Sequence, residues 1–182
     1  MWKGRDYEYY YFGSEAGSMV LLREVTDDDI ELVMAWRSNP LVYQGFYYQK
    51  EPLTWEEHYK WWHSQYKQSN WKRWIIQVSD DVTTRDVGCV HFRQLDNRSP
   101  KVSIFIGEVT LWGKGISRQA LSLALDWLEE QGYEKVHTTI LGDNQRSIRL
   151  FESLGFKNSG DAREGEWTYE LYLKDRRRQD ND

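Results

Sequence analysis

Between Arg73 and Glu108 three apolar runs stand close together: RWIIQVS (73–79), DVGCVHFRQLD (86–96) and KVSIFIGE (101–108). A parallel crossover needs a dozen or more residues. The polar turns DDVTTRD and NRSP are too short for one, so the three runs are predicted to form an antiparallel meander. That excludes a doubly wound sheet of strictly alternating strands and helices. Upstream, MVLLREV (19–25) reads as a strand, and Thr26 with three aspartates reads as an N-cap with acids in the first turn. Ile30, Leu32, Val33 and Trp36 give the following helix its apolar face, and Ser38-Asn39-Pro40 stops it. The stretch LVYQGFYYQKEP reads as a loop, and Thr54 with Glu57 forms a capping box for a second helix. A long amphipathic helix runs from Ile116 to about Gln131, followed by a strand (134–141), a short helix within DNQRSIRLFESLGF and a last strand in EGEWTYELYLK. The order β-α-α-β-β-β-α-β-α-β predicts a mixed α/β (α+β) fold. Its central, mostly antiparallel sheet should have about six to seven strands, with helices on both faces.

A chain of 182 residues fits one domain, expected over 19–173. Residues 1–18 contain YEYYYF and form an arm that could be an extra strand, a dimer contact or mobile; pairing at a sheet edge or in a homodimer is compatible with it. The charged tail 174–182 is expected to fray. No run approaches the ~18 apolar residues of a membrane span, and the first residues lack the apolar core of a secretory signal, so a cytoplasmic protein with no membrane partner is expected. A net charge of −5 argues against nucleic acid as a partner. Cys89 is the sole cysteine, which excludes a disulfide within the chain and a cysteine-based zinc site; no metal is expected, and the thiol reads as a small buried hydrophobe.

The segment LWGKGISRQAL (111–121) sets two glycines and a lysine before the long helix. A helix N-terminus offers unpaired N–H groups and about half a positive charge. Glycines let the backbone approach a bulky anion. The amides of Gly113, Lys114, Gly115, Ile116 and Ser117 could therefore converge on one diphosphate, with Trp112 anchoring the loop. The alternative is a glycine-rich turn that binds nothing. Neither the G-x-x-x-x-G-K-[ST] spacing nor the Rossmann fingerprint is present. Asn144 opens the later short helix, where it is either an N-cap or a donor to an extended ligand between two splayed strands.

Together, Trp112-Gly113-Lys114-Gly115-Ile116-Ser117 and NQRSIRLFESLGF (144–156) resemble the two signature motifs of the GNAT superfamily, the acetyl-CoA-dependent N-acetyltransferases. The resemblance covers about residues 19 to 173 and implies a GNAT-like fold. Tryptophan at position 112, where many relatives have glutamine or arginine, is similar to the branch with the ribosomal-protein N-terminal acetyltransferases. It implies acetyl-CoA as co-substrate, cradled at the glycine loop, with its pantetheine arm paired to Ser103–Gly107 through backbone groups of Phe105 and Ile106. It further implies direct attack by an amine, without an acyl-enzyme. Many relatives carry a tyrosine acid where this chain has Phe151, which donates no proton; Ser147, one turn earlier, or water is the substitute. The glutamate base of some relatives falls at Thr139. Glu108, His91 and His137 are then the candidates to accept the amine's proton, each with a plain reading as a satisfied strand residue.

The stretch WRSNPLVYQGFYYQKEPLTWEEHYKWW resembles bacterial nucleotide-sugar N-acetyltransferases, closest to those of the pseudaminic acid type. A UDP-linked amino sugar would then stack on Phe46, Tyr47 and Tyr48, with Arg37 and Lys50 meeting its diphosphate. The same aromatics would also serve simply to pack the helices. The rivals are acetylation of a protein N-terminus and a non-catalytic acetyl-CoA sensor or scaffold.

Overall fold

The meander closes as its turns predict. In the computed structural model, which describes residues 12–13, 19–66 and 68–179, β3 (Trp71–Ser79), β4 (Thr84–Arg93) and β5 (Lys101–Ile106) pair antiparallel in succession. β1 (Phe12–Gly13) and β2 (Met19–Glu24) extend the sheet on one side. On the other lie β6 (Lys135–Leu141), β8 (Glu166–Tyr172) and β7 (Lys157–Arg163), giving the order β1-β2-β3-β4-β5-β6-β8-β7. Every pairing is antiparallel except β5 with β6. The fold is thus the mixed α/β sheet with flanking helices that the sequence predicts, with the two-residue β1 and the edge strand β7 added.

Helices cover both faces because both faces of the central strands are apolar. α4 (Ile116–Glu130) buries Ala120, Leu121, Ala124, Leu125 and Leu128 against Ile76, Val90 and Val102. On the opposite face α1 (Ile30–Arg37) and α3 (Trp55–Tyr66) bury Val33, Trp36 and Trp62 against Ile75 and Cys89. Cys89 is buried as expected, and loss of water pushes its thiol up to about 12.

Three local readings are corrected. Pro40 does not merely stop α1: it opens α2 (Pro40–Tyr43), with Asn39 Oδ1 accepting from the Leu41 amide at 3.0 Å and proline at N1, where it costs no hydrogen bond. β7 was missed because KNSGDAR lies at a sheet edge with no buried residue and so shows no apolar alternation. The tail does not fray from Lys174: α6 (Leu173–Gln179) is held by Arg176, which donates to Asp126 at 2.6 Å and to the Ser122 carbonyl at 3.1 Å. Of the arm over 1–18, Phe12 pairs with Val20 and Gly13 with Met19; its other residues lie outside those described.

Candidate active site

β5 and β6 meet at a single parallel rung, Lys101 opposite His137, with the His137 amide on the Pro100 carbonyl at 3.0 Å. Beyond that rung β5 stays with β4 and β6 stays with β8, and the two diverge. The wedge between them opens into a cavity of about 710 Å³. Ser103 to Ile106 wall one side, Thr138 to Leu141 the other, and the 41–48 segment roofs it.

The glycine loop lies at the open end. Gly113 and Gly115 both have φ of +78°, a left-handed conformation that glycine adopts without strain, and Gly115 is the N-cap of α4 with no side-chain cap. A Cβ on Gly113 would meet nothing within 4 Å, and one on Gly115 only Gln119 Nε2 at 4.0 Å, so the ground before the loop is clear. Gln119 is the first α4 residue whose amide reaches a backbone carbonyl, that of Gly115 at 3.1 Å. The amides of Gly113, Lys114, Gly115, Ile116 and Ser117 are thus left without acceptors among the described residues, as an anion cradle requires. Gly113 and Ser117 line the cavity; Lys114 is exposed beyond it, and the Ile116 side chain turns into the core. Trp112 anchors the loop: its Nε1 donates to the Ile106 carbonyl at 2.9 Å, and the Arg146 guanidinium lies 3.6 Å over its ring.

The free edge of β5 takes in Ile104 and Ile106 and leaves out the expected Phe105. Gly107 donates to Val87 on the β4 side, and a Cβ on Gly88 would strike the Phe105 carbonyl at 2.4 Å. By the alternation of an antiparallel ladder, Phe105 turns its backbone groups to β4, while Ile104 and Ile106 present theirs to the wedge. Phe105 contributes its ring, which meets Phe46 edge-on at 5.7 Å.

α5 (Gln145–Glu152) supplies the next wall. Asn144 is its N-cap, with Oδ1 accepting from the Ser147 amide at 3.2 Å. Asn144, Ser147 and Phe151 all line the cavity. Phe151 packs edge-on against Phe156 at 5.0 Å, an apolar wall where the signature's tyrosine would stand.

The three proton acceptors suggested by sequence do not reach this cavity. His91 stacks on Trp71 at 5.2 Å, and loss of water, reinforced by the guanidiniums of Arg73, Arg93 and Arg37, pushes it down to about 3. So weak a base at a position outside the cavity does not suit the role. Glu108 receives the Trp36 indole N–H at 3.3 Å and serves to fix α1. His137 sits at the closed rung, its Nδ1 3.2 Å from Ser99 Oγ.

Phe46, Tyr47 and Tyr48 line the cavity roof, with the Tyr47 and Tyr48 rings edge-on at 5.1 Å. Arg37 does not line the cavity: it is half-buried, 4.3 Å over the Trp61 ring and 6.0 Å from the Phe46 ring, and Gln49 brackets it by accepting from Nη2 at 3.3 Å and donating to its carbonyl at 2.6 Å. Lys50 points outward, with Nζ 3.5 Å from the Phe46 carbonyl. The structure brings in residues that sequence reasoning passed over, Arg93, Lys101, Arg163 and Glu166, and with them Ser103 of the expected pantetheine strand. Arg163 donates from Nε to the buried Glu166 carboxylate and from Nη1 to Tyr48 Oη, and it stacks 3.7 Å over Tyr47. Polar Lys101 and Ser103 alternating with apolar neighbours in KVSIFI were a legible sign that one strand face meets a polar space. No such sign marked the polar β7–β8 hairpin.

A family model described as the acetyltransferase (GNAT) domain matches residues 19–157. An uncharacterised protein of Methanocaldococcus jannaschii is 53% identical over 156 residues, covering 86% of this chain and 32% of that protein. The chain thus spans about a third of that relative's length. A solved domain from the same organism superposes with a TM-score of 0.81 at 52% identity, covering 85% of this chain and 99% of that one. A Bacillus subtilis protein named for phosphinothricin acetylation is 28% identical, covering 76% of this chain and 85% of that protein. Spermidine N-acetyltransferase of Vibrio cholerae, solved with CoA and spermine, shares the fold at a TM-score of 0.71 and 18% identity over 86% of this chain and 97% of that one. With the wedge, the glycine loop and the matched residues in register, the chain belongs to the GNAT acetyltransferase family.

Proposed function

We propose that this chain moves an acetyl group from acetyl-CoA directly onto the primary amine of a small molecule held in the wedge, and that a nucleotide-linked amino sugar such as a UDP-amino sugar is the acceptor class. The observation that carries the reading is the wedge itself. A single rung opens onto a strand edge that no neighbouring strand pairs, and that edge leads to a turn whose amides lack acceptors among the described residues. An extended pantetheine arm pairs with such an edge while its diphosphate meets the turn. An edge amide, that of Ile104 or Ile106, faces the thioester oxygen and stabilises the charge that gathers there. The amine adds to the carbonyl carbon and gives up its proton to water in the cavity, the C–S bond breaks, and the thiolate leaves. Ser147 Oγ–H, on the cavity wall, or water supplies the proton that the thiolate takes up.

The roof of Phe46, Tyr47 and Tyr48 supports an enclosed, stackable acceptor over a protein N-terminus, which needs an open groove. The test is release of free CoA from acetyl-CoA in the presence of UDP-amino sugars, polyamines, aminoglycosides and short peptides. Release with UDP-amino sugars is expected. Release with peptides alone moves the assignment to protein acetylation, and cofactor binding without any release makes the chain a sensor.

A further inference from the structure

Arg93 and Lys101 stand directly opposite each other on β4 and β5, at the closed end of the wedge. Directly opposed residues share a sheet face and lie about 5 Å apart at Cβ, where like charges repel. Both are partly buried, and neither forms an ion pair with a carboxylate of the described residues. Among the described residues, Arg93 Nε is buried without a hydrogen-bond partner, and the Lys101 ammonium donates only to Thr139 Oγ1, a neutral hydroxyl. Burial, helped by Arg93, pushes Lys101 down to about 8. The neighbouring Arg163 differs, since it is matched by Glu166. The Glu166 carboxylate also acts on Arg93 and Lys101, but it is bonded to Arg163, so one negative charge faces three cations. Two opposed, half-desolvated cations so incompletely matched are a standing cost to the fold, of the kind retained where a ligand supplies the missing charge.

We propose that Arg93 and Lys101 form an anion subsite for the acceptor, so that the molecule acetylated here carries a phosphate- or carboxylate-type group beside its amine. The subsite rests on reading this cavity as the acceptor site, and it names the pair that meets the anion in place of Arg37 and Lys50. Coenzyme does not fill it. The glycine loop lies past the other end of β5, and the five-residue step from Lys101 to Ile106 alone spans roughly 17 Å. The acceptor's anion docks between the two cations, and its amine points up the wedge toward Ser103 and the edge of β5. Polyamines, which bring only further positive charge, are poor ligands for this end.

The test titrates the full chain, with CoA saturating, using inorganic pyrophosphate in one arm, malonate in a second and spermidine in a third. Pyrophosphate is expected to bind wild type, and its affinity to fall roughly 10- to 100-fold in Arg93→Gln and in Lys101→Met. Lys101→Arg should keep most of the affinity, spermidine should not bind at this end, and malonate reports whether a carboxylate suffices. Thermal melting of each variant separates loss of the subsite from loss of the fold. Absence of pyrophosphate binding to wild type, or equal affinity in all variants, overturns the proposal. If the subsite binds as described while no amine is ever acetylated, the subsite stands and the transferase reading falls. If amines are acetylated but wild type and Lys101→Met show the same preference between matched amines with and without an anionic group, the transferase reading stands and the subsite falls.

Discussion

The indole of Trp36 lies directly on the backbone of Gly107: a Cβ at Gly107 would stand 2.0 Å from Trp36 Cγ. The same indole donates to Glu108, so the first helix is pinned to the end of β5 just before the glycine loop. Gly107→Ala should therefore force Trp36 or the strand to move, at about 1–3 kcal/mol, seen as a lower melting temperature. Glu108→Gln keeps an oxygen for the indole and should change turnover less than about threefold; a fall of a hundredfold or more would restore Glu108 as the base, since a general base contributes about 10²–10⁴.

Gly115→Glu places a side chain on a φ of +78° and a carboxylate before the free amides. CoA affinity should fall by about a hundredfold or more, as expected when charge-assisted contacts to a diphosphate are lost and a like charge is added. Gly115→Ala has open space and should cost only the backbone term, about 1 kcal/mol. Isothermal titration with CoA checks both, and unchanged affinity in the glutamate variant would remove the cradle from this loop.

Ser147 faces the cavity beside an apolar Phe151. Ser147→Ala should lower kcat about a hundredfold or more, in the range of acid catalysis, with acetyl-CoA binding unchanged. Full turnover in that variant assigns the last proton to water.

Anion affinity at the closed end should depend on pH through Lys101. Its neighbours there are Arg93, Arg163, Glu166 and His137. Because burial lowers it from the ordinary 10.5 to about 8, pyrophosphate binding should weaken as pH rises past 8, and Lys101→Arg should remove that decline. The effect on folding has the opposite sense. Between about 8 and 10.5 the unfolded chain holds a proton the folded chain has shed, so this group's contribution to stability rises with pH across that window.

Cys89 is buried in β4 and its thiol is pushed up to about 12. A thiol reagent at pH 8 should leave the folded chain unmodified and label it only on unfolding, because the thiolate is the reactive form. Rapid labelling of the folded protein would mean that this face of the sheet opens.

How much was legible depended on whether the signal was local. The short turns of the meander, the capping box at Thr54 and the three-and-four spacing on α4 are local patterns, and each appears as read: Thr54 and Glu57 exchange hydrogen bonds, and α4 buries its apolar stripe. The glycine loop was legible for the same reason, since left-handed φ and a bare helix start are properties of a few consecutive residues. The polar strand β7 was not, because an edge strand buries nothing that would mark it in sequence.

By itself, then, the sequence determined the antiparallel meander, the long amphipathic helix and the glycine turn before it, carried by short-range periodicity and spacing, while two motifs carried the resemblance to the family; α2, β7 and α6 it did not mark. Only the tertiary structure decided which polar side chains meet. It set Arg93 against Lys101 across two strands, drew Arg163 and Glu166 from a distant hairpin into the cavity, and left Arg37, His91 and Glu108 out of it. Those outcomes follow from strand register and from where β5 and β6 part, and no single segment encodes either.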